Sequence, residues 1–258
     1  MSRIKEVFKK KKGNVLNVYC TAGYPNLDST IEVLDALQQN GADMIELGMP
    51  YSDPLADGPV IQMSNSIALK NGMTISKLFE QLRGFRNKPP LGGLGVILMG
   101  YMNPVLQYGF EKFCADAAAV GIDGLILPDL PSFEFETGYG AIIKKYGLDF
   151  IFLVTPETSD DRIKKLDSLS SGFLYAVSSS STTGNNKTAN TEDYLKRLRN
   201  LELKNPILVG FGINSKRSFD AVCQYADGAI IGSAFIKALE NNADVKAATK
   251  SFLSSILA

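Results

Sequence analysis

The 258-residue sequence predicts an α/β fold, a closed (β/α)8 barrel. Apolar runs rich in Val, Ile and Leu recur eight times, and the segments between them carry apolar residues at helical spacing. Such alternation is typical of a parallel sheet covered by helices. Eight strands in a chain of this length fit a barrel. The alternative, a doubly wound open sheet, is disfavoured because no Gly-x-Gly-x-x-Gly sequence follows the first strand.

The predicted elements follow one another at regular intervals. A short amphipathic helix over residues 2–12 precedes the first strand, and most strands then recur about every 25–33 residues. The interval between the second and third strands is about 50 residues and contains an extra helix at about 60–70. We expect residues 1–258 to form one domain. The predicted strands lie at 15–20, 43–47, 94–99, 124–127, 149–154, 173–177, 206–210 and 228–231.

The two ends of the predicted barrel differ in composition. Gly41, Gly121 and Gly147 each stand two residues before an Asp that opens the next strand. These turns close helices and belong to the end of the barrel that serves stability. Loops rich in Gly, Pro, Asp and Ser follow the other ends of the strands, which is where barrel enzymes build their active sites.

Composition excludes several classes of function. The chain has 27 basic and 27 acidic residues, so it lacks the charge footprint of a nucleic-acid or membrane-surface protein. It has no histidine, which excludes Ser-His and Cys-His nucleophile pairs and the usual histidine metal sites. Acid–base work then falls to carboxylates, Tyr, Lys or Cys.

The cysteine pattern and the N-terminal residues predict a cytoplasmic protein. Cys20, Cys114 and Cys223 are far apart and show no metal-ligand spacing. We expect reduced thiols in the absence of a signal peptide. The first residues lack the apolar stretch of a signal peptide, and no run of about 18 apolar residues predicts a membrane span.

Glu46 is an acid inside the second predicted strand. Because side chains alternate along a strand, Glu46 shares one face with Met44 and Gly48, while Ile45 and Leu47 face the helices. Glu46 then points into the barrel mouth, where burial would raise its pKa and suit it to acid–base catalysis near neutral pH. A structural carboxylate paired with Lys or Arg is the alternative.

The loop after this strand carries Asp53 and Asp57 among three prolines within ten residues. Asp-Pro and Asp-Gly sequences form turns, so either aspartate can be a hydrogen-bonded turn residue. Asp57 lies deeper in the loop and can equally orient a substrate N–H or O–H. Tyr175, in the sixth predicted strand, is either a core residue or a hydroxyl near the substrate.

Glycine-rich strand ends predict a phosphate site. Glycine turns follow the last two strands, at 210–214 and at Gly232-Ser233, and a short helix from Ala234 to Asn241 comes next. Backbone N–H groups and a helix dipole bind phosphate at such turns in many barrels. Together with Gly184, these turns favour a phosphorylated substrate.

Residues 41–59, Gly-Ala-Asp-Met-Ile-Glu-Leu-Gly-Met-Pro-Tyr-Ser-Asp-Pro-Leu-Ala-Asp-Gly-Pro, resemble the signature of tryptophan synthase α subunits. Segments 101–104, 124–131, 210–213 and 232–234 resemble further motifs of that family, in the same order. The resemblance covers essentially the whole chain, and the 41–59 motif is highly specific.

The resemblance implies a (β/α)8 lyase that cleaves indole-3-glycerol phosphate to indole and glyceraldehyde 3-phosphate by a retro-aldol reaction. It implies that Glu46 is the acid/base, that Asp57 binds the indole N–H and stabilises the charge forming there, and that Tyr175 lines the site. It also implies a phosphate cradle formed by Gly184, Gly212, Gly232 and Ser233.

The same resemblance implies a partner. Family members pass indole through a tunnel to a pyridoxal-phosphate β subunit in an αββα complex, and they need no metal or cofactor in the α subunit. By resemblance, residues 48–60 and 128–131 face the β subunit. The loop that usually reads Ser-Arg-x-Gly-Val-Thr-Gly is Ser-Ser-Ser-Ser-Thr-Thr-Gly over 178–184. We expect Thr183 to contact Asp57 when this loop closes.

Two alternatives to the lyase remain from the sequence. Another phosphate-binding barrel enzyme, such as a sugar-phosphate isomerase, would keep the glycine turns but would not need the acid-bearing loop. A partner-binding subunit that has lost activity would not need Glu46, Asp57 and Tyr175, all of which are present.

Overall fold

The structure, a computed structural model, describes residues 2–88, 91–178, 187–210, 212–240, 242 and 244–258, with the side chains of 187–190 left out. Its strands are parallel and, apart from the stretch 149–154, fall within one residue of the predicted bounds at either end. In chain order they are β1 (Val15–Thr21), β2 (Met44–Gly48), β3 (Gly95–Met99), β4 (Gly124–Ile126), β5 (Asp149–Phe150), β6 (Leu153–Val154), β7 (Leu174–Val177), β8 (Ile207–Gly210) and β9 (Gly228–Ile231).

The strands close into a ring. Their order in the sheet is β5-β4-β3-β2-β1-β9-β8-β7-β6. The two ends of this order, β5 and β6, are successive pieces of one stretch of chain, residues 149–154. Together they occupy the place of the fifth strand of the barrel, so the first and last strands of the sheet are joined there. The prediction of a (β/α)8 barrel is confirmed, and the open-sheet alternative is wrong.

The prediction of one unbroken strand over 149–154 is wrong in detail. This stretch pairs with β4 in its first half and with β7 in its second half, and the change of partner separates β5 from β6. The side chains of Ser171 and Ser170 accept hydrogen bonds from the backbone N–H groups of Phe150 and Phe152, at 3.0 and 3.1 Å. These serines satisfy donors that a continuous ladder would otherwise use.

Helices surround the ring, and the first of them, Arg3–Lys10, lies against the amino ends of the strands, where Ile4 approaches Gly95 and Gly124. In chain order they are α1 (Arg3–Lys10), α2 (Thr30–Gln39), α3 (Pro59–Lys70), α4 (Ile75–Leu82), α5 (Met102–Tyr108), α6 (Phe110–Val120), α7 (Ser132–Glu134), α8 (Gly140–Lys145), α9 (Asp160–Leu169), α10 (Lys187–Asn200), α11 (Lys216–Cys223), α12 (Ser233–Leu239) and α13 (Val245–Leu257). A π-helical segment, Phe135–Tyr139, joins α7 to α8.

The predicted extra helix is present as α3. It begins with Pro59 directly after Gly58, and proline suits the first helical position because the N–H it lacks would have no partner there. In the ranges that the structure describes, no helix is long and apolar enough to cross a membrane.

The glycine turns at the amino ends of the strands behave as predicted. Gly41, Gly121 and Gly147 have positive φ values of 101°, 92° and 70°, which glycine adopts without strain. The aspartates that follow these glycines form hydrogen bonds that connect the elements at this end of the barrel. Asp43, for example, accepts hydrogen bonds from the backbone N–H of Leu16 at 2.7 Å and from Lys11 at 2.5 Å. This end is therefore structural, and chemistry belongs at the opposite end.

Candidate active site

A cavity of about 910 Å³ lies at the carboxyl ends of the strands. Its walls bring together residues from the loop after β2, from β7, and from the turns after β8 and β9. Six of the site residues predicted from the sequence line it, namely Glu46, Asp57, Tyr175, Gly212, Gly232 and Ser233. Thr183 and Gly184 lie outside the described residues.

Glu46 is the most deeply placed acid of the cavity. It is 1% exposed, and its neighbours in register are Tyr19 on β1 and Ile97 on β3. Burial, and secondarily the negative charge of Asp57, raise the pKa of Glu46 from 4.5 to about 8. Among the ion pairs of the described residues none includes Glu46, so the alternative of a structural salt bridge is wrong. The carboxyl group is therefore mostly protonated at neutral pH.

Asp57 is both a turn residue and a cavity residue. Its N–H donates to the carbonyl of Pro54 at 3.0 Å, which makes the turn. Its Oδ2 accepts a hydrogen bond from the Tyr101 hydroxyl at 3.1 Å. Burial raises the pKa of Asp57 to about 6, and the hydrogen bond from Tyr101 opposes that shift. Asp57 is therefore mostly ionised at neutral pH, in contrast to Glu46.

Asp53 is placed differently from Asp57. It is exposed, it accepts a hydrogen bond from Ser52 at 2.5 Å, and its carbonyl accepts from the N–H of Leu55 at 2.9 Å. It is not among the residues that line the cavity. Its contacts are those of a loop residue on the outer surface.

Tyr101 fixes the acid-bearing loop against the end of β3. Its hydroxyl donates to Asp57 and accepts from the N–H of Ala56 at 3.0 Å. Its ring lies 5.4 Å from that of Tyr51, whose hydroxyl accepts from Asn103 at 3.1 Å. No role of Tyr101 beyond its place in the motif at 101–104 is predictable from the sequence, because its partner lies 44 residues away.

Two buried tyrosines each lie against the last residue of the neighbouring strand: Tyr19 of β1 against β2, and Tyr175 of β7 against β8. A Cβ at Gly48 would overlap the hydroxyl oxygen of Tyr19, and a Cβ at Gly210 would overlap that of Tyr175. Burial raises the pKa of both phenols well above the usual range, so both stay protonated. Tyr19 was missed from the sequence, although its alternation with Thr21 along β1 puts it on the inward face.

The side of the cavity at β8 and β9 is suited to an anion. Gly212 has a φ of 77°, a conformation that favours glycine, and Gly232 and Ser233 form the start of α12. Lys237 follows Ser233 by four residues, on the same helix face, and is the only Lys or Arg among the described residues that line the cavity. Lys237 was not among the predicted site residues, although its spacing of four residues from Ser233 is visible in the sequence.

Apolar side chains also line the cavity, and they include Ile61, Met99, Ile213, Ile230 and Phe252. The cavity therefore fits a ligand with an apolar body, a group that exchanges protons and an anionic end. Of the residues described, no group of three or more His, Cys, Asp or Glu is arranged to hold a metal ion.

Comparison with known proteins agrees with this geometry. A family model described as "Tryptophan synthase alpha chain" matches residues 5–255. The chain is similar to the tryptophan synthase alpha chain of Flavobacterium johnsoniae, with 51% identity covering 95% of this chain and 96% of that one. It is similar to that of Parabacteroides distasonis, with 46% identity covering 99% of both chains.

Solved structures give the same result. Tryptophan synthase subunit alpha from Legionella pneumophila matches with a TM-score of 0.89 and 35% identity, covering 99% of this chain and 97% of that one. A tryptophan synthase from M. tuberculosis in an aminoacrylate-bound form matches with a TM-score of 0.86 and 31% identity, covering 99% and 98%. The sugar-phosphate isomerase alternative is not favoured. Sequence, fold and cavity agree, and the chain belongs to the tryptophan synthase alpha chain family.

Proposed function

We propose that this chain cleaves indole-3-glycerol phosphate to indole and glyceraldehyde 3-phosphate, with Glu46 moving both protons. The family's reaction is this cleavage. The observation that carries the assignment is the pair of carboxyl groups in one cavity, Glu46 with a pKa of about 8 and Asp57 with a pKa of about 6. Two acids whose environments separate their pKa values can take different roles at one pH.

Glu46 starts the reaction as an acid. Its proton adds to C3 of the indole ring and leaves a positive charge on the ring nitrogen. The carboxylate that results then takes the proton of the hydroxyl on the adjacent side-chain carbon. The O–H electron pair becomes the C=O bond of glyceraldehyde 3-phosphate, and the electrons of the broken C–C bond restore the neutral indole. Glu46 ends in its starting protonation state.

Asp57 serves as the counter-charge. An ionised carboxylate accepts a hydrogen bond from the indole N–H and stabilises the positive charge that forms on the ring. Tyr101 holds this carboxylate through its hydroxyl, at 3.1 Å from Oδ2. Tyr175 adds a protonated hydroxyl at the wall of the cavity, beside Gly210.

The phosphate group belongs at the turns after β8 and β9. Gly212, Gly232 and Ser233 line that side of the cavity, and Lys237 adds a positive charge to it. Backbone N–H groups at such turns bind phosphate oxygens. Two further roles are proposed from the sequence alone. Gly184 binds the phosphate, and Thr183 contacts Asp57 when the loop closes.

The β subunit is the partner of this family, and pyridoxal phosphate belongs to that subunit rather than to the α subunit. Three large apolar side chains are exposed around the carboxyl ends of β2, β3 and β4, namely Leu55 at 93%, Leu106 at 47% and Phe133 at 68%. Because these three strands are neighbours in the sheet, the side chains lie on one end of the barrel. Exposed apolar patches mark protein interfaces. This end, which includes residues 48–60 and 128–131, is our proposed surface for the β subunit.

We also propose a cytoplasmic location and a single domain. All three cysteines are free thiols, as expected in a reducing compartment. The described strands all belong to one sheet, which supports one domain over residues 1–258.

An indole-release assay on the purified chain, with and without a β subunit, tests the function. Glu46→Gln should reduce indole formation by about 10²–10⁴-fold, the range that general acid–base groups contribute. Glu111→Gln is the matched control, because Glu111 is exposed and pairs with Lys145 on the outer surface. Indole formation at the normal rate by Glu46→Gln would contradict the assignment, and no indole from the wild type would support the non-catalytic alternative.

A further inference from the structure

Asn17 is a polar residue buried in the middle of β1. It is 0% exposed and is surrounded along the strand by Val15, Leu16 and Val18, which are also 0% exposed. Its Nδ2 lies 3.5 Å from Oε2 of Glu46. Its Oδ1 is buried without a hydrogen-bond partner in the described part of the chain. A buried amide with an unpaired carbonyl destabilises a fold, so its presence needs a reason.

The strand register places Asn17 one layer of side chains below the layer that contains Tyr19 and Glu46. Asn17 pairs with Met44 on β2, while Tyr19 pairs with Glu46, so Asn17 is one inward-facing position deeper than Tyr19. Asn17 is not among the residues that line the cavity. It therefore contacts Glu46 from below the cavity rather than from the cavity itself.

The amide group matches an acid that changes its protonation state. An amide has two N–H donors and a carbonyl acceptor, and a half-turn of χ2 exchanges their positions. A carboxylate needs a donor, and a carboxylic acid needs an acceptor. A Lys or Arg at this position would instead hold Glu46 ionised, and an apolar residue would orient neither form.

We propose that Asn17 is a positioning residue that holds the carboxyl group of Glu46 in both of its protonation states during the reaction. Nδ2 donates to the carboxylate across the 3.5 Å distance to Oε2, and Oδ1 accepts from the protonated carboxyl group after the amide turns. The otherwise unpaired Oδ1 is then used in the form of the enzyme that is ready to donate a proton. The proposal rests on the function proposed above for Glu46.

Several other titratable groups interact electrostatically with Glu46 and must be considered in any pH profile. Asp57 does so from the loop after β2, Tyr19 from the inward face of β1, Cys20 from its outward face, and Tyr175 from β7. Burial raises the pKa of the Cys20 thiol and of both phenols, so they stay neutral across the working range. Asp57 is the neighbour of Glu46 whose charge changes in this range, and it is unchanged in the variants below.

The experiment compares Asn17→Leu and Asn17→Ser with Val18→Ala. Leu has a similar size but no polar atom, and Ser keeps one donor and acceptor. Val18→Ala truncates a buried residue on the same strand whose side chain faces the helices, so it reports loss of packing alone. Each protein is assayed for kcat and KM across the pH range, and Glu46 is titrated by NMR of carboxyl-labelled glutamate, its signal identified by its loss in Glu46→Gln.

We expect Asn17→Leu to lower kcat about ten-fold or more at every pH, with KM within about two-fold, because misorientation of an acid–base group affects the chemical step. The Glu46 midpoint should stay nearly constant, since both protonation states lose a partner. Asn17→Ser should recover part of kcat, and Val18→Ala should keep it. If Asn17→Leu does not fold, a kcat of Asn17→Ser below that of Val18→Ala carries the same conclusion.

Two results would overturn the proposal. A normal maximal kcat with the Glu46 midpoint moved to higher pH would show that Asn17 only stabilises the carboxylate. Equal kcat values for the folded Asn17 and Val18 variants would show that Asn17 serves packing alone. Retained activity in Glu46→Gln would instead overturn the proposed function, and the NMR titration would still report whether Asn17 controls the Glu46 carboxyl group.

Discussion

Glu46→Gln should make the protein more stable at high pH while it greatly slows indole formation. The pKa of Glu46 is 4.5 in an unfolded chain and about 8 in the folded protein. Between these values folding takes up a proton, so the free energy of unfolding falls as the pH rises. Since one pKa unit corresponds to about 1.36 kcal/mol, the loss approaches about 5 kcal/mol above pH 8. Gln does not ionise, and the variant therefore avoids this loss.

Thermal unfolding of both proteins at pH 5, 7 and 9 measures the effect. In a protein of this size 1 kcal/mol corresponds to about 2–4 °C in Tm, so the variant should exceed the wild type by roughly 10 °C at pH 9. The two proteins should differ little at pH 5, where the folded wild type already holds its proton. The other titrating groups are the same in both proteins and largely cancel in the difference.

A Tm difference that is the same at pH 5 and pH 9 would refute the reasoning. It would mean that Glu46 titrates at its ordinary pH and is not available as an acid at neutrality. Glu111→Gln provides the control, because the Lys145 ion pair holds the pKa of Glu111 below its usual range. That variant should show no gain in stability at high pH.

Three further perturbations test other parts of the site. Tyr101→Phe removes the hydrogen bond to Asp57, which should raise the Asp57 pKa above about 6 and move the acidic limb of the kcat/KM profile to higher pH. Gly212→Ala forces a side chain into a backbone with a φ of 77° and should raise KM for indole-3-glycerol phosphate about ten-fold, seen in steady-state kinetics. Phe133→Asp places a charge on the exposed apolar surface and should weaken binding of a β subunit about ten-fold or more in calorimetry.

For each of these three variants, one result would contradict the prediction. An acidic limb that does not move in Tyr101→Phe would show that another group controls it. A normal KM in Gly212→Ala would place the phosphate elsewhere in the cavity. Unchanged β-subunit affinity in Phe133→Asp would remove the end of the barrel near β4 from the proposed interface.

Strand positions could be read from the sequence because they depend on local patterns. A strand buried on both faces needs a nearly continuous apolar run, and the alternation of side chains put Glu46 on the inward face without any knowledge of its neighbours. The glycine turns before the strands were also readable, since a positive φ favours glycine. The division of strand five was not readable, because it depends on where β4 and β7 pair with it.

By itself, the sequence determined the barrel, the inward-facing acid at Glu46, and the family. Only the tertiary structure decided how that acid works. The pKa of about 8, the Tyr101 hydroxyl on Asp57 and the Asn17 amide behind Glu46 each arise between residues 11 to 44 positions apart in the chain. A pKa depends on burial and on nearby charges and donors, and these exist only after the strands have closed into a ring.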